Sequence, residues 1–250
     1  ASADVSFSGK GDEKRITFFV SPPQGETVGR VYVETELPTG KKLTLGITNI
    51  DYAHIPTLRV FGDSAARVPG VYTPRVEAEQ PLSLVTLVPF AEKKRGRIGS
   101  YRMGSWPFER GTASGGTYGA FDGFIRVTPE NQDLHVSEHF RLRDFLTKDQ
   151  ANVWPKYLVL REELVDKLEL VIDELERGGV NVEHMQVMSG FRTPQYNQQG
   201  VGAGGRAQNS RHQYGDAADV FVDNDRDGRL DDLNRDGRVD TRDVRVMVAA

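Results

Sequence analysis

The chain has 250 residues, no Cys, and 32 Lys and Arg against 36 Asp and Glu, a formal charge of −4. That length suffices for one large domain or two modest ones, each burying a core of its own, and two are expected. Mild acidity argues against a nucleic-acid footprint, the lack of Cys excludes disulfides and thiolate metal sites, and no apolar run is long enough to span a bilayer.

The chain opens on Ala1 with no charged-then-apolar leader, which reads as a mature form whose signal peptide has been removed. From Val5 to Val88 short alternating runs follow one another: Arg15 to Val20, Arg30 to Glu36, Leu43 to Thr48, Thr57 to Phe61 and Leu82 to Val88. Pro22-Pro23, Pro38, Gly40 and Pro69-Gly70 break them. Period-two apolar residues at this spacing predict an antiparallel, Ig-like β-sandwich over residues 1–90. His54 is the sole His in that stretch and no constellation surrounds it.

Residues 91–123 are rich in Gly, Ser and basic residues, with Tyr101, Trp106 and Phe108 interleaved. Such aromatics need burial, so this reads as an ordered connector packed across a domain junction. A second domain spans 124–250. Pro155 to Arg177 predicts a helix whose core face carries Leu164, Leu168, Val171, Ile172 and Leu175, stopped by Gly178-Gly179. Val182 to Met188 and Ala218 to Val222 read as strands, and the residues after Asp243 as the opening of a helix.

His212 and Asp219 lie seven apart, with Gly215, Ala217 and Ala218 between them, so both can face one ion. A neutral imidazole and a carboxylate are ordinary zinc ligands, and a catalytic zinc keeps three protein ligands and one open position. On spacing alone, a surface His followed by an Asp cap is the better reading. The surrounding residues are more specific: Ser189-Gly190-Phe191-Arg192, then Ser210-Arg211-His212-Gln213-Tyr214-Gly215-Asp216-Ala217-Ala218-Asp219. Over about His135 to Val222 this resembles the zinc D-alanyl-D-alanine carboxypeptidase family, with its SGxR and SxHxxGxAxD patterns and a fold shared with hedgehog signalling domains.

The resemblance implies an α+β zinc DD-peptidase/hedgehog-like domain. It makes His212 and Asp219 zinc ligands, Arg192 the catalytic cation that binds or polarises the substrate carboxyl region, and Ser210 a substrate hydrogen-bonding group. A guanidinium suits that role because it offers a planar fork to a carboxylate or developing oxyanion. The family's later segment carries a third zinc ligand, a His, and an acidic residue. No His follows His212, so the reading is of a chain cut short of that segment, with an intact protein that has lost the site as the alternative. The activity implied is hydrolysis of peptidoglycan peptides outside the cytoplasm, with a metal-stabilised peptidoglycan- or protein-binding module as the alternative.

Asp232, Asn234, Asp236, Gly237, Arg238, Val239, Asp240 and Asp243 occupy positions 1, 3, 5, 6, 7, 8, 9 and 12 of an EF-hand-type loop. Alternating oxygens converge on one hard cation and Gly permits the sharp turn at position six. An overlapping loop begins Asp223, Asp225, Asp227, Gly228, Arg229, Leu230 and shares Asp232 and Asn234 with the other. Calcium in a structural role is expected over residues 223–243, where it could fix the end of the strand carrying Asp219.

Two other motifs carry less. His135-Val136-Ser137-Glu138-His139 matches an inverted zinc-peptidase string, which needs a helix beneath it, whereas this stretch looks extended and Ser137 better suits a helix N-cap. Gly200-Val201-Gly202-Ala203-Gly204-Gly205 follows no strand and opens no helix, so it reads as a mobile loop over the metal cleft and not as a phosphate cradle. His184, alternating within a strand, reads as a satisfied core or edge residue.

Overall fold

A computed structural model of the chain describes residues 3–8, 15–20, 30–36, 42–48, 70–72, 82–111, 118–121 and 123–250. Strands β1 (Ala3–Ser8), β2 (Arg15–Val20), β5 (Gly70–Tyr72) and β6 (Leu82–Thr86) form one sheet in the order β1-β2-β6-β5. Strands β3 (Arg30–Glu36) and β4 (Lys42–Thr48) pair antiparallel. The β2–β6 pairing is parallel, unlike the antiparallel pairing expected. Parallel neighbours need a long crossover, and more than sixty residues separate these two. The expected strand Thr57 to Phe61 and His54 lie outside the described residues.

Beyond β6 the chain enters a continuous core running from Val85 to Leu233. Strand β7 (Val88–Pro89) pairs with β10 (Gly123–Val127), which pairs in turn with β11 (Lys156–Leu158). Between β7 and β10, the short hairpin of β8 (Arg97–Ile98) and β9 (Tyr101–Arg102) sends Tyr101, Met103 and Trp106 into the core, each fully buried. Phe90, Trp106, Phe121 and Phe124 pack as a ring cluster with centroid spacings of 5.2 to 5.7 Å. At about 1.5–3 kcal/mol for each large apolar side chain buried, this cluster orders the glycine-rich segment around it.

Helix α1 (Glu162–Arg177) begins seven residues later than the apolar spacing predicts, because Lys156–Leu158 is claimed by the β10 ladder and all three residues are buried. Its buried face carries Leu164, Val165, Leu168, Ile172 and Leu175, and it ends at Gly178. Strand β12 (Met185–Ser189) runs antiparallel to β13 (Asp219–Val222). The register slips between Val187 and Ser189, setting Ser189 opposite Asp219; such bulges re-aim side chains at strand ends. The short helix α2 (Pro194–Gln198) follows β12, capped by Thr193 Oγ1 accepting from Tyr196 N at 3.1 Å. Helix α3 (Thr241–Ala249) closes the described structure. Among the described residues, no helix is long and apolar enough to cross a membrane.

Candidate metal centre and its surroundings

The two sequence motifs meet. Arg192 N donates to the His212 carbonyl at 3.0 Å, tying the end of β12 to the 3-10 turn Arg211–Tyr214. That turn ends on Gly215 at φ +69°, where a Cβ would lie 2.3 Å from the Val159 carbonyl oxygen, so only glycine lets the turn press onto the chain leaving β11. Arg161 N donates to the Gly215 carbonyl at 2.8 Å from the other side.

Within this frame the His212 ring is mostly buried, with Nδ1 2.8 Å from the Gly190 carbonyl oxygen. A carbonyl only accepts, so Nδ1 carries the hydrogen and Nε2 presents its lone pair to Asp219 Oδ1, 3.5 Å away. Burial lowers the His212 pKa from its usual value, opposed by the Gly190 hydrogen bond and aided by Arg192, which favours the neutral ring. Two acceptors then face each other across 3.5 Å, close to the roughly 3.4 Å that separates neighbouring ligands of a tetrahedral zinc at ordinary bond lengths. The donor set therefore fits zinc. An imidazole held through its other nitrogen by a backbone carbonyl is the usual way a metal-binding tautomer is fixed.

Arg192 sits beside this pair. Its Nε donates to Ser189 Oγ at 2.8 Å and its Nη2 to Asp219 Oδ2 at 2.7 Å. Asp219 thus presents one oxygen to His212 and the other to a guanidinium. Ser210 is buried at the start of the 3-10 turn, its carbonyl accepting from Gln213 N at 3.2 Å. Among the described residues no third His, Asp or Glu joins His212 and Asp219.

The connector supplies contacts that the motifs do not announce. Trp106 Nε1 donates to the Gln213 carbonyl at 2.7 Å in a buried bond, and Gln195 N donates to the Met103 carbonyl at 3.0 Å. In the loop between β12 and α2, Thr147 Oγ1 donates to the Phe191 carbonyl at 3.1 Å and accepts from Thr193 N at 3.2 Å. Ser189 and Gly190 lie inside the SGxR motif, but their tasks, holding Arg192 and fixing the His212 tautomer, emerge only with the two motifs side by side.

The acidic tail forms two loops nine residues apart with matching bonds. In the first, Asp223 Oδ1 and Oδ2 accept from Asp227 N and Gly228 N at 2.9 and 3.0 Å, and Asp227 Oδ1 accepts from Arg229 N at 2.8 Å. In the second, Asp232 Oδ1 and Oδ2 accept from Asp236 N and Gly237 N at 3.2 and 2.7 Å, and Asp236 Oδ1 accepts from Arg238 N at 3.1 Å. Gly228 and Gly237 have φ of 83° and 82°.

The loops differ in charge. Asp223, Asp225 and Asp227 gather carboxylate oxygens within 4.8 Å of one another, a donor set suited to a hard cation. In the second loop Asn234 replaces the middle carboxylate and Arg242 pairs with Asp236 and Asp240 at 2.5 and 2.7 Å. The Arg242 hydrogen bonds hold Asp240 at about 2, well below its usual value. Asp243 ties this loop to α3 by accepting from Asn234 N and Asp240 N at 3.1 and 2.8 Å.

No helix underlies His135 to His139; the stretch is a bend closed by a bridge between His135 and Arg141, with a 3-10 turn at Leu142–Phe145. His139 Nδ1 instead pairs with Glu169 Oε2 of α1 at 2.7 Å. The Gly200 to Gly205 loop neither follows a strand directly nor opens a helix. His184 Nε2 lies 3.4 Å from Gln186 Oε1, and its backbone N donates to Asn224 Oδ1 at 3.0 Å.

Comparison of the chain with family models, with curated proteins and with solved structures finds no match to any of them.

Proposed function

We propose that the protein is a zinc-dependent peptidase of the D-alanyl-D-alanine carboxypeptidase or endopeptidase type, acting on peptidoglycan peptides outside the cytoplasm through an α+β, hedgehog-like domain that follows a β-sandwich. The observation that carries this reading is the pairing of His212 Nε2 with Asp219 Oδ1 at 3.5 Å, with Nδ1 committed to the Gly190 carbonyl. His212 and Asp219 would hold zinc, which, when bound, activates water and polarises a carbonyl. Gly190 keeps the imidazole in the ligating tautomer, and Arg192 orients Asp219 while adding positive charge beside it. Burial of Tyr214 and Gln213 in the same turn keeps bulk water from its inner side.

Calcium would sit in the first acidic loop, on Asp223, Asp225 and Asp227. Asp223 directly follows β13, so a cation there would brace the strand that presents Asp219. A second reading, a metal-stabilised module that binds peptidoglycan or protein without hydrolysing it, is favoured by one observation: two protein ligands, not three, meet among the described residues.

Zinc titration and hydrolysis of a peptide ending in D-alanyl-D-alanine, each with His212→Ala as control, test the proposal. Zinc uptake lost in the variant, together with hydrolysis, supports the peptidase. Zinc and peptide binding without turnover selects the binding module. Failure to take up zinc overturns both.

A further inference from the structure

From Lys93 to Arg102 the chain holds five cations and no Asp or Glu, although its net charge is −4. The hairpin formed there has two faces. Ile98 and Tyr101 stand opposite each other across β8 and β9 and are buried in the core. On the other face Arg97 stands opposite Arg102, and a bridge sets Lys94 opposite Arg97 on its far side. Three exposed cations therefore line up across three segments of chain, roughly 5 Å from one backbone to the next. Arg102 N donates to Gln150 Oε1 at 2.8 Å and the Arg102 carbonyl accepts from Gln150 Nε2 at 2.9 Å. Arg97 and Arg102 thus form a pair without mutual backbone bonds, the kind in which side chains sit closer.

Like charges directly opposite in a ladder destabilise it, and no ion pair offsets these. Lys93 is paired with Glu109 Oε1 at 2.7 Å, whereas among the described residues Lys94, Arg95, Arg97 and Arg102 form no ion pair. Asp149, the carboxylate whose ionisation Arg102 favours, is half-buried, and its Oδ2 accepts from Gln150 Nε2 at 3.3 Å. A fourth cation is added at a conformational cost. Lys94 N and Arg97 N donate to each other's carbonyls at 2.8 and 3.0 Å around a two-residue turn in which Arg95 has φ 49° and Gly96 φ 75°. Asn, Asp or Gly is usual at the first of these positions, and the exposed Arg95 takes their place. Each of these choices works against the hairpin's own stability, and together they leave a positive face on a negative protein.

We propose that this hairpin face is an electrostatic dock for an anionic phospholipid surface, with Lys94, Arg95, Arg97 and Arg102 against the lipid phosphates. The partner follows from the charge and from what the face lacks. No large apolar side chain of the hairpin is exposed, Ile98 and Tyr101 being turned inward, so the contact stays at headgroup level with nothing inserted. No ring stands on this face to stack a base, as a single-stranded nucleic acid would require. A planar array of phosphates also suits a chain that is acidic elsewhere, because screening over about 8 Å lets the patch act without the distant carboxylates. The dock does not depend on a metal at His212.

The test is co-sedimentation of the 250-residue chain with phosphatidylcholine vesicles, with and without phosphatidylglycerol, in chelator so that no cation bridges lipid to the acidic loops. The native chain binds the anionic vesicles, ignores the neutral ones and is released as salt is raised. Arg97→Gln and Arg102→Gln each weaken partitioning about fivefold, while Arg97→Lys, which keeps the charge, retains it. Arg143→Gln, at an exposed Arg paired with Asp133 outside the hairpin, changes nothing. Both hairpin Gln variants unfold at the native midpoint or above it, since a like-charge pair is relieved, and this separates lost docking from lost fold. Lys94→Gln repeats the reading should either fail to fold. Equal binding to neutral and anionic vesicles, binding to neither, or undiminished partitioning in the Gln variants overturns the proposal. So does tighter binding to an oligothymidylate at the same salt, which would make the face a nucleic-acid site.

Discussion

Trp106 donates its indole hydrogen to the carbonyl of Gln213, 2.7 Å away in space and 107 residues along the chain. The bond seats the glycine-rich connector against the turn that carries His212. Trp106→Phe keeps an aromatic ring in the cluster but leaves the buried Gln213 carbonyl without this donor. The variant loses about 1–3 kcal/mol of stability, measured by urea unfolding, and binds zinc more weakly than the native chain.

Gly215→Ala tests the packing beneath the same turn. The residue has φ +69° and no space for a Cβ, which would sit 2.3 Å from the Val159 oxygen and 2.8 Å from Leu160 N. Backbone must move on one side or the other, so the expected cost is about 3 kcal/mol or more, seen as a lowered unfolding midpoint.

The two motifs around His212 and Arg192 are legible in the sequence because each is local. Ser189 to Arg192 and Ser210 to Asp219 each place their chemistry within a few residues, and the structure brings the two together. The connector's part was not. Tyr101 and Trp106 announce burial by their size, but nothing in residues 91–123 says that they pack against the Gln213 turn, since that contact spans over a hundred residues. The helix start was misplaced for a related reason: Lys156–Leu158 has apolar spacing compatible with a helix, and only the facing strand Gly123–Val127 decides otherwise.

His139 and Glu169 form a pH-dependent staple between the His135 to Arg141 bend and α1. The Glu169 hydrogen bond raises the His139 pKa above its ordinary 6.5 despite partial burial, with Glu138 and Glu176 adding to it. Burial works to raise Glu169, yet hydrogen bonds from His139 and Ser137 bring it below its ordinary 4.5. The His139 contribution is complete below pH 6.5 and lost as pH rises through the folded value; that of Glu169 is present above pH 4.5 and lost on acidification through its folded value. Glu169→Gln therefore destabilises most between these limits, by about 1 kcal/mol, and by less at pH 8 and above, as urea unfolding across the pH range will read.

Calcium raises the thermal midpoint if the first acidic loop binds it in the folded state alone. At a hundredfold excess over Kd the gain is about 2.7 kcal/mol, or roughly 5–10 °C for a domain of this size. Asp223→Ala abolishes the gain, whereas Asp240→Ala, whose carboxylate is engaged by Arg242, leaves most of it. An equal response in chelator and in calcium would remove the cation from the loop.

On the proposed reading, the Nε2 of His212 and the carboxylate of Asp219 share a zinc ion. Nitrogen NMR of the labelled chain, followed during zinc titration with Asp219→Ala as control, addresses it at the two ring atoms. The expected result is that the His212 Nε2 resonance shifts on zinc addition while Nδ1 keeps its hydrogen, and that Asp219→Ala blunts the response. Zinc that leaves the His212 ring resonances in place, or that moves them equally without Asp219, would contradict it.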